Sequence, residues 1–154
     1  MTFIELIATL SKELGGEIEI ENDTCAVRTG EDARDAVTIL LQGFDERRAL
    51  LMTANLGQPP PEQLERLYRT ILEANDLFRD TCGATLSVNP ATGNVRLQRF
   101  DPYEVLSEVG LSRALRLFAD VATAWARIVR DYREEPPQKE ADPAPDGNLL
   151  GVRV

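Results

Sequence analysis

Three groups of residues in this 154-residue chain have types and spacings that could carry chemistry. Glu17, Glu19 and Glu21 alternate, which would set three carboxylates on one side of a strand where they could bind a cation. Hard-metal sites usually draw their ligands from a tight loop rather than a flat ladder, so these read as a solvated strand face. Cys25 and Cys82 are far apart and form no CxxC or other metal-like spacing, which reads as two reduced thiols in an intracellular protein. Cys82 has no basic residue nearer than Arg79 to lower its pKa, so it reads as an inert packed thiol. Gly15-Gly16 makes neither a GxGxxG nor a P-loop. The chain has no histidine, and so lacks the commonest general base and the commonest metal ligand. The expectation is a protein with no catalytic residue, no metal and no cofactor.

Composition narrows the partners. A length of 154 residues with 43% apolar content favours one domain that gains by burying more surface against a partner. The net charge of -9 argues against nucleic-acid binding, which draws on clustered Lys and Arg. That charge is concentrated: residues 1–46 hold eleven acids against Lys12, Arg28 and Arg34, a net of -8, while residues 47–133 hold twelve bases against ten acids. The N-terminal third is therefore a solubilising surface, or one that steers a neutral or basic polypeptide. No run approaches membrane-spanning length, and the N-terminus lacks the basic flank and cleavage site of a signal peptide.

Periodicity sets out the secondary structure around these side chains. Phe3, Leu6, Ile7, Leu10 and Leu14 share one helical stripe, with Thr2 and Glu5 as a capping box and Gly15-Gly16 as the stop. The segments 17–21 and 25–27 read as extended pieces around an Asn22-Asp23 turn, and Val37–Leu41 and Ala49–Ala54 as further strands. Pro59-Pro60-Pro61 opens a second helix over about 62–78, whose apolar face carries Leu64, Leu67, Tyr68, Ile71, Leu72 and Phe78 with the polar Asn75 among them. Asn75 either fixes register between helices or caps a nearby backbone group where the helix ends. Residues 84–88 and 95–100 alternate around Asn89-Pro90-Ala91-Thr92-Gly93-Asn94, a hairpin. A last helix, from Glu104 or Leu111 through Tyr132, buries Trp125 as core.

The predicted fold is α+β: a twisted antiparallel sheet of about five strands with three helices, in the order α-β-β-β-α-β-β-α. The domain spans 1–133. Residues 134–154, beginning EEPPQKEADPAPDG, read as a flexible, Pro-rich acidic tail. Its apolar end, Leu149 to Val154, either frays, adds a strand or docks in a groove, with fraying the expectation. Amphipathic helices on a sheet with potential edges make a polypeptide-binding module the leading hypothesis.

The order of elements, with the wording Leu72-Glu73-Ala74-Asn75, Gly83-Ala84-Thr85-Leu86, Asn89-Pro90-Ala91-Thr92-Gly93 and Val95-Arg96-Leu97-Gln98-Arg99, resembles the Tir-chaperone family, the class I chaperones of bacterial type III secretion. The resemblance spans about Phe3 to Tyr132 and is strongest from Leu64 to Phe100. It implies a cytoplasmic homodimer that binds the N-terminal segment of a secreted effector and keeps it extended and export-competent without ATP. It further implies a dimer interface on the second helix at Leu64, Leu67, Tyr68, Ile71 and Asn75, and effector contacts at Phe3, Ile4, Ile7, Val37, Ile39 and Leu41, about half of them expected to be core. The alternatives are an adaptor that sequesters a regulator or other polypeptide and, more remotely, a small carboxylate-dependent hydrolase.

Overall fold

The computed structural model describes residues 1–30 and 32–132. The expected tail at 134–154 lies outside the described residues. Helix α1 (Phe3–Leu14) is followed by strands β1 (Thr24–Thr29), β2 (Val37–Phe44) and β3 (Ala49–Gly57), then α2 (Leu64–Asn75), β4 (Thr85–Val88), β5 (Val95–Pro102), α3 (Tyr103–Val109) and α4 (Leu111–Arg130). The five strands form one antiparallel sheet in the order β1-β2-β3-β5-β4.

Alternation along the strands divides the sheet into two faces. Val37, Ile39 and Leu41 of β2, Leu50, Met52 and Ala54 of β3 and Val95 and Leu97 of β5 point inward and are buried. Helix α4 lies across this inner face against β2, β3 and β5, and α1 and α3 pack beside it. Its Leu115, Phe118, Ala122, Trp125 and Val129 recur at three- and four-residue spacing and are all buried, as one face of an amphipathic helix must be. Trp125 combines burial with a hydrogen bond from its indole N–H to the Asp80 carbonyl, 3.0 Å. On the opposite face Leu40, Gln42, Leu51, Thr53 and Gln98 line a shallow depression among the described residues.

The hairpin expected from residues 84–100 is β4–β5, with Leu86 opposite Leu97 and Val88 opposite Val95. Its turn closes through Gly93 N–H to Asn89 O, 2.7 Å, and Gly93 takes φ +76°, which a β-carbon would disfavour. The Asn22-Asp23 turn also forms, with both residues at positive φ between Glu21 and Thr24.

Three boundaries differ from expectation. Residues 17–20 are not a strand: among the described residues no strand pairs with the segment, and only Glu21 bridges, to Thr24. Burial on one side produces the same alternation as strand pairing. The second helix stops at Asn75 rather than Phe78, because Leu77 and Phe78 take left-handed φ near +53°. The last helix, expected to start at Glu104 or at Leu111, is two helices: α4 starts at Leu111 and the short α3 precedes it, parted at Gly110, whose φ of +90° no helix accommodates.

Candidate polypeptide-binding surface

Helix α1 is anchored at its start by local and distant groups. Thr2 and Glu5 form the predicted capping box, with Glu5 N–H donating to Thr2 Oγ1 and Thr2 N–H to Glu5 Oε2. Phe3 N–H donates to Asp45 Oδ1, 2.9 Å, from the β2–β3 corner, and Tyr103 O–H donates to the same oxygen, 2.8 Å. A carboxylate near a helix N-terminus also meets the positive end of the helix dipole. One side chain thus ties α1, the β2–β3 corner and α3 together. Burial, helped by the Asp45 carboxylate, raises the pKa of Tyr103, which is fully enclosed.

At its other end α1 stops on Gly15, φ +72°, and the chain doubles back in extended form. Residues 17–20 then lie beside the helix and leave a hollow of about 640 Å³ lined by Ile4, Ile7, Ala8, Ile18 and Ile20, with Lys12 and Glu17 at its rim. Its wall is mostly apolar. Ile4 is 62% exposed and Ile20 37%, so the hollow presents unpaired aliphatic surface to solvent. Beyond Ile20 the chain enters β1, an edge strand that among the described residues pairs only with β2, so the hollow leads onto one end of a strand edge.

Of the six expected effector contacts, Ile4 stands open on this surface. Phe3, Ile7, Val37, Ile39 and Leu41 are between 0% and 5% exposed and belong to the chain's own core. Ile7 still forms part of the hollow's floor. The structure adds Ala8, Ile18 and Ile20, which sequence reasoning assigns to no groove. Their signal is the apolar parity of 18 and 20 next to a helix stop, a pattern that equally predicts a strand.

The α2 residues divide in a similar way. Leu67 and Ile71 are buried within one chain, while Leu64, Tyr68 and Asn75 are half-buried. Asn75 uses its amide fully: Nδ2 donates to Leu86 O and Oδ1 accepts from Leu86 N–H, both at 2.9 Å. It takes the place of a neighbouring strand for one residue of β4 and so covers part of that sheet edge. Of the two roles open to Asn75, this is the backbone cap. The apolar surface left open lies late in α2 and just beyond its end: Leu72, Leu77 and Phe78 are 71%, 82% and 54% exposed.

A second, smaller cavity of about 250 Å³ lies between α4 and the β1–β2 loop, lined in part by Arg34, Asp35, Arg127 and Arg130. Arg127 Nη2 reaches Asp35 Oδ2 at 2.6 Å, and its hydrogen bonds hold the Asp35 pKa below its usual value. Among the described residues no group of His, Cys, Asp or Glu side chains is placed to hold a metal. No described helix is long and apolar enough to cross a membrane.

An α+β scaffold with an apolar hollow, an unpaired strand edge and an exposed apolar helix end has the surfaces of a polypeptide-binding protein. Residues 5–126 match the Tir chaperone protein (CesT) family, and the chain belongs to that family of chaperones. The fold is similar to that of a chain in the HopA1–SchA chaperone–effector complex, with 19% identity, a TM-score of 0.62, and 81% of this chain and 94% of that one covered. It is similar also to a chain of the ExsC–ExsE complex, at 20% identity and TM-score 0.64, covering 81% of this chain and 91% of that one. A third likeness is to a chain of the heterodimeric ExoU–SpcU complex from the type III secretion system of Pseudomonas aeruginosa, at 18% identity and TM-score 0.57, covering 80% and 94%. No curated protein matches the chain.

Proposed function

We propose that the chain is a type III secretion chaperone: in the cytoplasm it binds the N-terminal segment of a secreted effector and keeps it extended and secretion-competent, without ATP and without catalysis. The observation that carries this reading is the open hollow between α1 and residues 17–20, joined to the free edge of β1. An extended segment can place apolar anchors in the hollow and pair its backbone with β1, so affinity comes from burial and main-chain hydrogen bonds. Binding must exceed an ordering cost of about 2–5 kcal/mol, and each fully buried aliphatic anchor supplies about 1.5–3 kcal/mol. The chain acts as a homodimer through the outer side of α2, where Leu64, Tyr68 and Leu72 recur at four-residue spacing and lead to Leu77 and Phe78. Family membership and the three structural likenesses support this reading.

Co-expression with the product of the adjacent reading frame tests it. Ile4→Asp lies on exposed surface, so the unfolding midpoint should hold while effector affinity falls about tenfold or more, as loss of one anchor requires. Undiminished affinity would remove the hollow from the binding surface. For the dimer, Leu77→Glu should halve the mass seen by light scattering without unfolding the chain; an unchanged dimer refutes this seam. Because Ile71 is 4% exposed, a charge there would instead report on folding.

A further inference from the structure

The edge that β1 offers is shorter than the strand. One step beyond the Thr24–Gln42 pair, Gly43 N–H donates to Asp23 O, 2.8 Å, so Asp23 belongs to the alternate set of residues that bond across to β2. In the same register Cys25, Val27 and Thr29 turn their main-chain groups towards β2, and Thr24, Ala26 and Arg28 turn theirs away. Thr24 is satisfied from within the chain: its N–H donates to Glu21 O, 3.0 Å, and its C=O accepts from Glu21 N–H, 2.9 Å. Among the described residues no main-chain hydrogen bond reaches that side of Ala26 or Arg28. An added strand therefore meets, within β1, only the N–H and C=O of these two residues.

The side chains along this short edge are chemically distinct. Side chains beside each other on neighbouring strands share a face, whichever way the strands run. Ala26 and Arg28 are exposed on the outer face, with Thr38 beside Arg28 on β2, while Val27 turns inward and packs against the core. The outward positions of the strands carry two bases, Arg28 and Arg96, and no acid. None of the ion pairs among the described residues uses Arg28. Before the other end of β1, Glu21 and Asp23 are exposed. A carboxylate on an added strand is thus attracted at Arg28 and repelled at the Thr24 end, so charge sets the register.

We infer that β1 selects an extended polypeptide segment with a carboxylate side chain beside Arg28 and an aliphatic one beside Val27, its main chain pairing with Ala26 and Arg28 alone. Arg28 is then the residue that decides which segments pair with the edge. This rests on the proposed function and deepens it, since that reading sets a partner strand on β1 without specifying its side chains.

The probe is an immobilised array of nonapeptides of alternating threonine and valine, with the central threonine replaced by glutamate, glutamine or lysine. The full chain should bind the glutamate peptide best and the lysine peptide about tenfold more weakly, and Arg28→Glu should reverse that order. Ala26→Pro removes one outward N–H and breaks no β1–β2 hydrogen bond, a change that edge strands tolerate. Its unfolding midpoint should hold while binding to every peptide is lost; if it does not fold, Arg28→Glu, on exposed surface, carries the test. Amide exchange at Ala26 and Arg28 should slow when the glutamate peptide binds, whereas Cys25 and Val27 are protected in the free chain. An order that Arg28→Glu leaves unchanged, undiminished binding by a folded Ala26→Pro chain, or no binding to any peptide overturns the inference. Full affinity of Arg28→Glu for the product of the adjacent reading frame refutes this inference and leaves the chaperone function standing. The peptide preference without binding of that product refutes the function and leaves the inference standing.

Discussion

Replacing Gly43 with alanine tests how α1, and with it the hollow, is held. Gly43 sits in β2 opposite Leu50, and its φ is not positive, so its requirement is for space rather than torsion. A β-carbon there would lie 2.5 Å from Phe3 Cβ and 2.7 Å from Phe3 Cδ2, with Phe3 Cγ also in contact. The Phe3 ring is fully buried against this backbone, and its N–H is fixed by Asp45, so neither the ring nor the helix start can withdraw freely. Overpacking of this kind costs about 1–3 kcal/mol, while reduced freedom of the unfolded chain returns about 0.4–1 kcal/mol. The net loss should be about 1–2 kcal/mol, equivalent to about 4–7 °C in Tm for a domain of this size. Urea and thermal unfolding at fixed protein concentration measure it, since association would otherwise shift the midpoint. A double-mutant cycle isolates the cause. Phe3→Ala alone should cost about 3–5 kcal/mol, but Gly43→Ala added to it should be neutral or stabilising, giving a coupling of about 1–3 kcal/mol. A Gly43→Ala protein within about 0.5 kcal/mol of the parent, or an additive cycle, would refute the reasoning.

Three further predictions concern Asn75 and the two thiols. Asn75→Ala leaves the Leu86 N–H and C=O without their side-chain partner, so stability should fall by about 1–3 kcal/mol and amide exchange at Leu86 should accelerate, as hydrogen exchange reads directly. Burial pushes the Cys25 thiol from 9.0 up to about 11, so the unfolded chain releases this proton before the folded one does. Its contribution is intact below pH 9 and is lost as pH rises through about 11, with Tyr103 acting in the same direction from its own raised value. Urea midpoints should therefore drop on the alkaline side, and less in Cys25→Ala. Cys82, expected from the sequence to be packed, is exposed at the corner after α2, so in native protein a thiol reagent should modify it promptly and the buried Cys25 only as the chain unfolds.

Local code was legible wherever it was self-sufficient. The Thr2/Glu5 box, the Gly15 stop and the Asn89–Asn94 turn each depend on residues a few positions apart, and each forms as expected. The break at Leu77 was not legible, because apolar periodicity continues across it and only the backbone torsions record the interruption, whereas Leu111, one of the two starts expected for the last helix, is where α4 begins. The Glu17–Glu21 alternation misled because period two does not require strand pairing: Ile18 and Ile20 line the hollow beside α1, and only Glu21 bridges, to Thr24.

By itself the sequence determined the order of elements, the absence of histidine chemistry, and enough wording between Leu64 and Phe100 to indicate the family. These are properties of composition and short-range spacing. Which aliphatic residues face a partner was decided only by the tertiary structure. Phe3 and Ile4 are chain neighbours of similar hydrophobicity, yet one is fully enclosed over Gly43 and the other is 62% exposed. Asn75 found its purpose only when Leu86, eleven residues on, came within 2.9 Å. Burial and pairing depend on where distant segments meet, and the local pattern of the chain does not carry that information.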